Sequence, residues 1–545
     1  MSGRLRIVVL SGQVGSGKST LARLLAEQYD GQPFSTKDLM RAIAADRGDT
    51  LPDERRAMQE YGRKLDEETQ GRWVADAVAR LVQSNPGAML IIVDAVRLLA
   101  QVGYLRDAFG RPVHHLHLQA PQEVLSNRYT QRGDASGLKE LASFEEVERD
   151  VTESNVGDLA ADADIVVDTA RSSPEDVLTR VAAQLGLYAS RHERLVDVLI
   201  GGQYGSEGKG NVAFYLANEY GLLVRVGGPN AGHKVPLPTP YTHRLLPSGT
   251  MANPNAKLLI GPGATLDVDL LMKEIAESSV EIDRLWIDPQ AMIIEKEDIT
   301  AESEIVGAIG STGKGGGAAA ARRINGRNQH GTGVPVRLAR DVKELRSYIR
   351  PAVSVLDETY RRGERVLLEG TQGTALSIHH GSYPYVTSRD TTTAGCLAEA
   401  GIGAHRLRRV VMVMRTYPIR VQSPEGATSG PMSQEISWEA VAKRSGLDAS
   451  LLADTERGSV SNNQRRVGEF DWQLLRHASE LNGATDIALT FADYIDAKNQ
   501  KARRYDQLTE ATILFIEEIE RVAGVPVSLI GTRFDTRSII DRRSW

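Results

Sequence analysis

Two stretches of this chain share one local order: a short apolar run, a glycine-rich turn, then the start of a helical pattern. The first runs Ile7-Val8-Val9-Leu10 into Gly12-Gln13-Val14-Gly15-Ser16-Gly17-Lys18-Ser19-Thr20. The second runs Leu195, Val196, Val198, Leu199 and Ile200 into Gly201-Gly202-Gln203-Tyr204-Gly205-Ser206-Glu207-Gly208-Lys209-Gly210. A short apolar run bounded by turn residues fits a strand buried on both faces. Strands that alternate with helices argue a parallel sheet flanked by helices. In such turns the backbone amides approach phosphate oxygens closely, and the helix N-terminus adds a favourable field. The expected fold is therefore α/β, with two P-loop-like α/β domains.

The chain has 545 residues, too many for one ordinary core. The boundaries expected are residues 1–188 for the first domain, 189–194 for a short polar linker and 195–545 for the second. A net charge of −6 does not suggest a surface that coats nucleic acid, so no nucleic-acid partner is expected. The one cysteine, Cys396, excludes an internal disulfide framework and a cysteine-rich zinc site. No apolar run approaches the ~18 residues that span a bilayer, and the N-terminal apolar core is too short for a signal peptide. The expectation is a cytoplasmic protein with no membrane partner.

Residues 12–19 match the pattern G-x-x-x-x-G-K-S/T in full, between a strand pattern and a helix carrying Leu21, Leu24 and Leu25 on one face. The amides of Gly12, Gly15, Ser16 and Gly17 should cradle phosphates. Lys18 should reach the β/γ-phosphates, and Ser19 should ligate Mg2+. Glu54 to Leu81 reads as helical. Ala88 to Asp94, Val113 to Leu118 and Ile165 to Asp168 read as strands, and Pro174 to Leu187 as a closing helix. Asp94, at a strand end, is placed either to hold Mg2+ through water or to cap a helix. This pattern resembles small P-loop kinases that act on nucleoside monophosphates or related molecules. The resemblance makes Arg97 a candidate phosphate clamp, and Arg128 and Arg132 the start of a kinase lid. It also makes Asp38 and Arg41 candidates for gripping the acceptor. A regulatory nucleotide sensor with no transfer would use the same loop.

The second half carries further motifs in order: Gly227 to His233, Ser311-Thr312-Gly313-Lys314-Gly315-Gly316-Gly317, Glu369 to Thr374, Tyr383 to Ser388, and Gly458 to Gly468. With the turn at 205–210, these resemble the adenylosuccinate synthetase family across nearly all of residues 195–545. The resemblance implies a two-step ligation. A nucleoside triphosphate, ATP or GTP, phosphorylates the 6-oxygen of a purine nucleoside monophosphate; the amine of L-aspartate then displaces that phosphate. It implies catalytic roles for Ser206, His233, Lys209 and Gln372. Gly205, Glu207, Gly208, Lys209, Gly210, Gly232 and Asp493 would meet the triphosphate. Asn230, Ser311, Thr312, Gln372 and Thr387 would meet the purine monophosphate. Val460, Ser461, Arg465 and Arg466 would meet aspartate. Mg2+ would sit by Ser206 and Gly232. Members are commonly homodimers, with Arg322 or Arg323 expected to reach into the neighbouring copy's site.

Two positions depart from the family's pattern. Ser206 stands where the family places the aspartate that removes the purine N1 proton, and a serine is no base near neutral pH without a partner. A hydroxyl can instead accept a hydrogen bond from a 2-amino group. The same replacement marks a phage branch of the family acting on dGMP. The expected acceptor is thus a guanine nucleotide, dGMP or GMP, with IMP as its competitor. Phe491 stands where guanine-specific members have a lysine, so ATP or dATP is open beside GTP. The alternatives are ordinary IMP chemistry with GTP, or a nucleotide-binding regulator that has lost turnover.

Overall fold

The computed structural model describes residues 5–52, 55–131, 155–327, 333–458 and 463–544. The chain forms two compact units, Met1–Tyr188 and Ala189–Trp545.

Among the described residues, the first unit is built on a five-stranded parallel sheet. Its strands are β1 (Arg6–Ser11), β2 (Gln32–Ser35), β3 (Leu90–Asp94), β4 (Val113–Gln119) and β5 (Ile165–Asp168), in the order β2-β3-β1-β4-β5. The central strand explains why residues 7–10 are all apolar. Ile7 and Val9 pack with Leu39, Val74 and Val102, while Val8 and Leu10 pack with Leu21, Leu25 and Val181. Alternate side chains enter opposite layers, so both faces need apolar residues.

The helical stretch expected from Glu54 to Leu81 is two helices, Arg55–Thr69 and Trp73–Ser84. Gln70 (φ 53°) and Gly71 (φ 87°) take the left-handed conformation between them, which a right-handed helix cannot continue through. The closing helix runs Pro174–Gln184, ending before Gly186 at φ 60°.

The second unit is organised on a nine-stranded sheet, counted among the described residues. From one edge its strands are Leu285–Ile287, Lys257–Ile260, Leu222–Arg225, Val366–Glu369, Val196–Gly201, Leu407–Arg415, Asp486–Thr490, Val527–Gly531 and Ile539–Asp541. All neighbours are parallel except the last pair. Apolar clusters cover both faces, one around Val198, Leu368 and Met412, the other around Leu199, Leu367 and Val413. Residues 189–194 lie against this unit, where the Arg406 guanidinium donates to the carbonyls of Ser190 and Glu193. The loops leaving the carboxyl ends of these parallel strands carry the glycine-rich motifs, which is where open α/β sheets bind ligands. No helix among the described residues is long and apolar enough to cross a membrane.

Candidate active sites

In the first unit β1 enters residues 12–17, and the helix Lys18–Tyr29 leaves them. Glycine is required at position 12: φ is 136°, and a Cβ there would sit 2.1 Å from the Leu118 carbonyl oxygen. The turn therefore lies directly on β4. A cavity of about 390 Å3 opens beside it, lined by Gly15, Ser16, Gly17, Thr20, Arg128, Thr169 and neighbours. Arg128 binds it together, donating to Thr169 Oγ1 at 2.9 Å, to the Thr169 carbonyl at 2.8 Å and to the Gly15 carbonyl at 3.3 Å. The Lys18 ammonium folds back onto the carbonyls of Gly12 and Gln13, at 2.5 and 3.0 Å. Ser19 Oγ donates to Asp94 Oδ2 at 3.0 Å, while Asp94 Oδ1 is buried with no hydrogen-bond partner. A hydroxyl and a carboxylate with a spare buried oxygen suit a hard cation such as Mg2+, which keeps most of its shell for water and phosphate.

The other kinase-like residues are placed differently. Arg97 is half-buried near Asp66 and does not line the cavity. Asp38 caps its own helix, accepting from the Ser35 hydroxyl at 2.6 Å, and pairs with Arg41 at 3.4 Å. That engagement argues against a free acceptor-gripping carboxylate there. Arg132 lies outside the described residues.

In the second unit two cavities adjoin. One, of about 160 Å3, is lined by Asn230, Ser311, Thr312, Gln372 and Thr387 among others. The second, of about 770 Å3, is lined by Gly208, Lys209, Gly210, His233 and Asp493 among others. Gly205, Ser206, Gly232, Gly458 and Arg465 border both. Residues more than a hundred positions apart in the chain thus meet at one junction, with Ser206 and Gly232 in the shared wall.

His233 borders the larger cavity, next to Gly232 of that junction, and is held from behind. Its Nδ1 hydrogen-bonds Glu369 Oε1, and its buried Nε2 has no protein partner. Glu369 also accepts from Arg225 Nη1 at 2.7 Å, from the Ser248 amide at 2.7 Å and from the Ser248 hydroxyl at 2.5 Å. Burial, then the Arg225 charge, pushes His233 down to about 3, against the pull of Glu369. Burial pushes the Glu369 carboxyl up, but Arg225 and His233 together hold it well below the usual range. Burial thus favours the neutral imidazole, and Glu369, which can only accept, favours the tautomer with its hydrogen on Nδ1 and a lone pair on Nε2.

Glu207 braces the loop from inside. Its carboxylate accepts from the amides of Gln203 (3.0 Å) and Gly205 (2.7 Å) and pairs with Lys209 Nζ at 2.7 Å. It faces neither cavity. Asp493 borders the larger cavity with Phe491, and burial raises its carboxyl to about 6. The Phe491 ring carries the Arg415 guanidinium 3.8 Å from its centre. Ser206 and Gly232 supply only neutral oxygens, and no group of three or more metal-binding side chains occurs among the described residues. Such a set suits Mg2+ held chiefly by phosphate oxygens.

Three expectations need correction. Arg465 and Arg466 do not act as a pair: Arg465 precedes the strand Arg466–Gly468 and pairs with Glu456 at 3.5 Å, so the two side chains meet different neighbours. Arg465 borders the cavities, whereas Arg466 is committed to Glu435, to Ser429 Oγ and to the Gly430 carbonyl. Arg322 is not free to reach another copy: it is locked by Asp298 at 2.7 Å and the carbonyls of Ile293 and Pro335. Arg323 likewise donates to the Gln290 carbonyl at 2.7 Å. Glu207, expected to meet the triphosphate, has its carboxylate engaged within the loop and borders neither cavity. Val460 and Ser461 lie outside the described residues. Sequence reasoning missed Arg225, Ser248 and Arg415, because no spacing pattern links a strand-end arginine to a loop far along the chain.

The sequence profile of adenylosuccinate synthetase matches residues 198–332 and 332–501, more than half of the chain. The chain belongs to the adenylosuccinate synthetase family. Its second unit is an adenylosuccinate synthetase-like ligase domain, and its first is a kinase-like P-loop domain that matches the AAA domain profile over residues 11–148. The adenylosuccinate synthetase of Methanococcus aeolicus is 37% identical over 356 residues, covering 64% of this chain and 99% of that protein. The adenylosuccinate synthetase of Pyrococcus horikoshii is also 37% identical over 356 residues, 98% of its length. Among solved structures, the cyanophage S-2L succinoaminodeoxyadenylate synthetase bound to dGMP and dATP as an energy donor is 29% identical. It has a TM-score of 0.54 over 65% of this chain and 96% of that one. The fully ligated Plasmodium falciparum adenylosuccinate synthetase shares the synthetase fold at 22% identity, with a TM-score of 0.55 over 64% of this chain and 100% of its own.

Proposed function

We propose that the synthetase domain ligates L-aspartate to C6 of a 2-aminopurine nucleoside monophosphate, dGMP in preference to IMP. One observation carries this reading: a serine hydroxyl, Ser206, stands at the junction of the two cavities where the family's pattern has a carboxylate. The Ser206 hydroxyl is smaller than that carboxylate, which favours room for a 2-amino group, and its oxygen can accept a hydrogen bond from one. The cyanophage synthetase of the same fold, bound to dGMP and dATP, supports the direction.

In this reading the smaller cavity holds the purine monophosphate, with Ser311, Thr312 and Thr387 donating to its phosphate and Asn230 and Gln372 facing the base. The larger cavity holds the triphosphate. Its γ-phosphate meets the amides of the 205–210 turn and Lys209, donors placed for charge that develops in transfer. His233 exchanges a proton at Nε2 with the 6-oxygen end of the reaction, while Glu369 at Nδ1 fixes the ring. Arg465 takes a carboxylate of aspartate. Mg2+ beside Ser206 and the Gly232 carbonyl would neutralise phosphate charge when bound. At the triphosphate base, Phe491 replaces a reading lysine with an aromatic face, and Asp493 keeps an acceptor for an amino group. Both suit ATP or dATP as well as GTP.

The kinase-like domain binds a nucleoside triphosphate at residues 12–20, with Ser19 and Asp94 toward Mg2+ and Arg128 closing the cavity. We assign it phosphoryl transfer to a nucleoside or nucleotide of the same route. The two units form a bifunctional chain, acting as a homodimer in the cytoplasm.

The test is product formation by the full chain with aspartate, Mg2+, ATP or GTP, and either dGMP or IMP. The expected result is aspartate-dependent phosphate release with dGMP at least tenfold faster than with IMP. Turnover of IMP alone overturns the substrate assignment, and turnover of neither favours the regulator.

A further inference from the structure

Beside Gln372 lies an arginine that none of the motifs explains. Arg389 is largely enclosed, with its side chain 12% exposed and paired through Nε to Glu399 Oε1 at 2.7 Å. Its Nη1 donates to Thr371 Oγ1 at 2.7 Å and to Gln372 Oε1 at 3.3 Å; its Nη2 points to Cys396 Sγ at 3.8 Å. These partners fix the plane of the guanidinium.

The backbone of Gln372 is equally confined. Its φ is 58°, in the left-handed region. A Cβ at Gly201 would lie 2.7 Å from its carbonyl oxygen, and one at Gly205 would lie 3.0 Å from its Cα. The phosphate loop therefore packs directly on this residue, and its side chain borders the smaller cavity. What remains free is the end-for-end flip of the amide, which exchanges an acceptor oxygen for a donor NH2. Arginine has donors only, so the oxygen must face Arg389.

We propose that Arg389 is a positioning residue that makes Gln372 a one-way reader, presenting N–H hydrogens to position 6 of the purine. An oxo group there accepts from Gln372. An amino group, as the product carries, presents hydrogen to hydrogen. The arrangement favours the 6-oxo substrate and its phosphorylated form and weakens the hold on a 6-amino product. This inference rests on the purine monophosphate occupying the smaller cavity.

The experiment compares dGMP with the monophosphate of 2,6-diaminopurine deoxyriboside, which differs from it at position 6 and N1. Dissociation constants are measured by calorimetry for the full chain, for Arg389→Met, for Arg389→Lys and for Arg389→Met combined with Glu399→Gln. The expected wild-type preference for dGMP falls at least tenfold in Arg389→Met and is partly restored in Arg389→Lys. In steady state Arg389→Met loses at least tenfold in kcat, with KM for aspartate and the triphosphate changed less than twofold. If Arg389→Met does not fold, the double variant, which leaves no lone buried charge, carries the same comparison. An unchanged preference in a folded variant overturns the positioning role. Failure of the wild type to bind either monophosphate overturns instead the reading of the cavity on which it rests.

Discussion

Glu369→Gln keeps the size of the side chain and removes its charge. In the native site the carboxylate receives hydrogen from Arg225, from His233 Nδ1 and from both the amide and the hydroxyl of Ser248. Two carboxylate oxygens can accept all of these. A glutamine has one oxygen and turns the other position into a donor, so one side of the cluster meets hydrogen with hydrogen. The guanidinium of Arg225 is 2% exposed as a residue and would lose its counter-charge. Breaking a buried pair by removing one partner costs about 3–5 kcal/mol. The ring of His233 would lose the acceptor that sets its tautomer, and for a histidine oriented by a carboxylate that loss lowers kcat by up to ~10^4. The variant should therefore melt well below the wild type and lose on the order of 10^2–10^4 in aspartate-dependent phosphate release, with smaller changes in KM. Calorimetry and a phosphate-release assay at saturating substrates read the two effects. A folded Glu369→Gln with kcat within threefold of wild type would refute the reasoning, since Nε2 would then be oriented without its support.

Asp493→Asn should stabilise the ligand-free protein at pH 8. Burial raises the Asp493 carboxyl from 3.8 to about 6. Between those values the folded state keeps a proton the unfolded state has lost, so stability falls as pH rises through the window. The full penalty, on the order of 3 kcal/mol, applies above pH 6, and the substitution should raise Tm at pH 8 but not at pH 4. In the first unit, acid should loosen the sheet through His117, a β4 residue paired with Ser11 of β1, whose ring bonds Ser11 Oγ at 2.9 Å. Burial, then His115 and Lys18, lowers it from 6.5 to about 4. The unfolded state gains a proton first as pH falls through that window, so stability is full above pH 6.5 and lost toward pH 4. Protection factors of β1 and β4 amides, corrected for the intrinsic pH dependence of exchange, should fall at pH 5 relative to pH 7, and equal protection would refute it.

Much of this protein is legible in its sequence because its function is local. A phosphate loop needs a strand, glycines where Cβ atoms would collide, and a helix start, all within about fifteen residues. Both loops, their strands and the order of the later motifs could therefore be read directly. The boundaries of helices were less legible: the break at Gln70 depends on a left-handed residue that no composition rule marks. The arginines were least legible. Arg465 and Arg466 look alike in the chain, yet the fold sends one to the cavities and the other to Glu435.

The sequence by itself determined the chemistry on offer: two phosphate loops, a histidine after a glycine turn, and a serine in place of an acid. Those signals survive in one dimension because each is a short run of contiguous residues. Tertiary structure decided what those residues are free to do. It placed Glu369 and Arg225 behind His233, turned Glu207 inward as a brace, and set Arg389 against Gln372. Charge and hydrogen-bond direction in a buried site depend on neighbours brought from distant strands, and only the folded sheet brings them together.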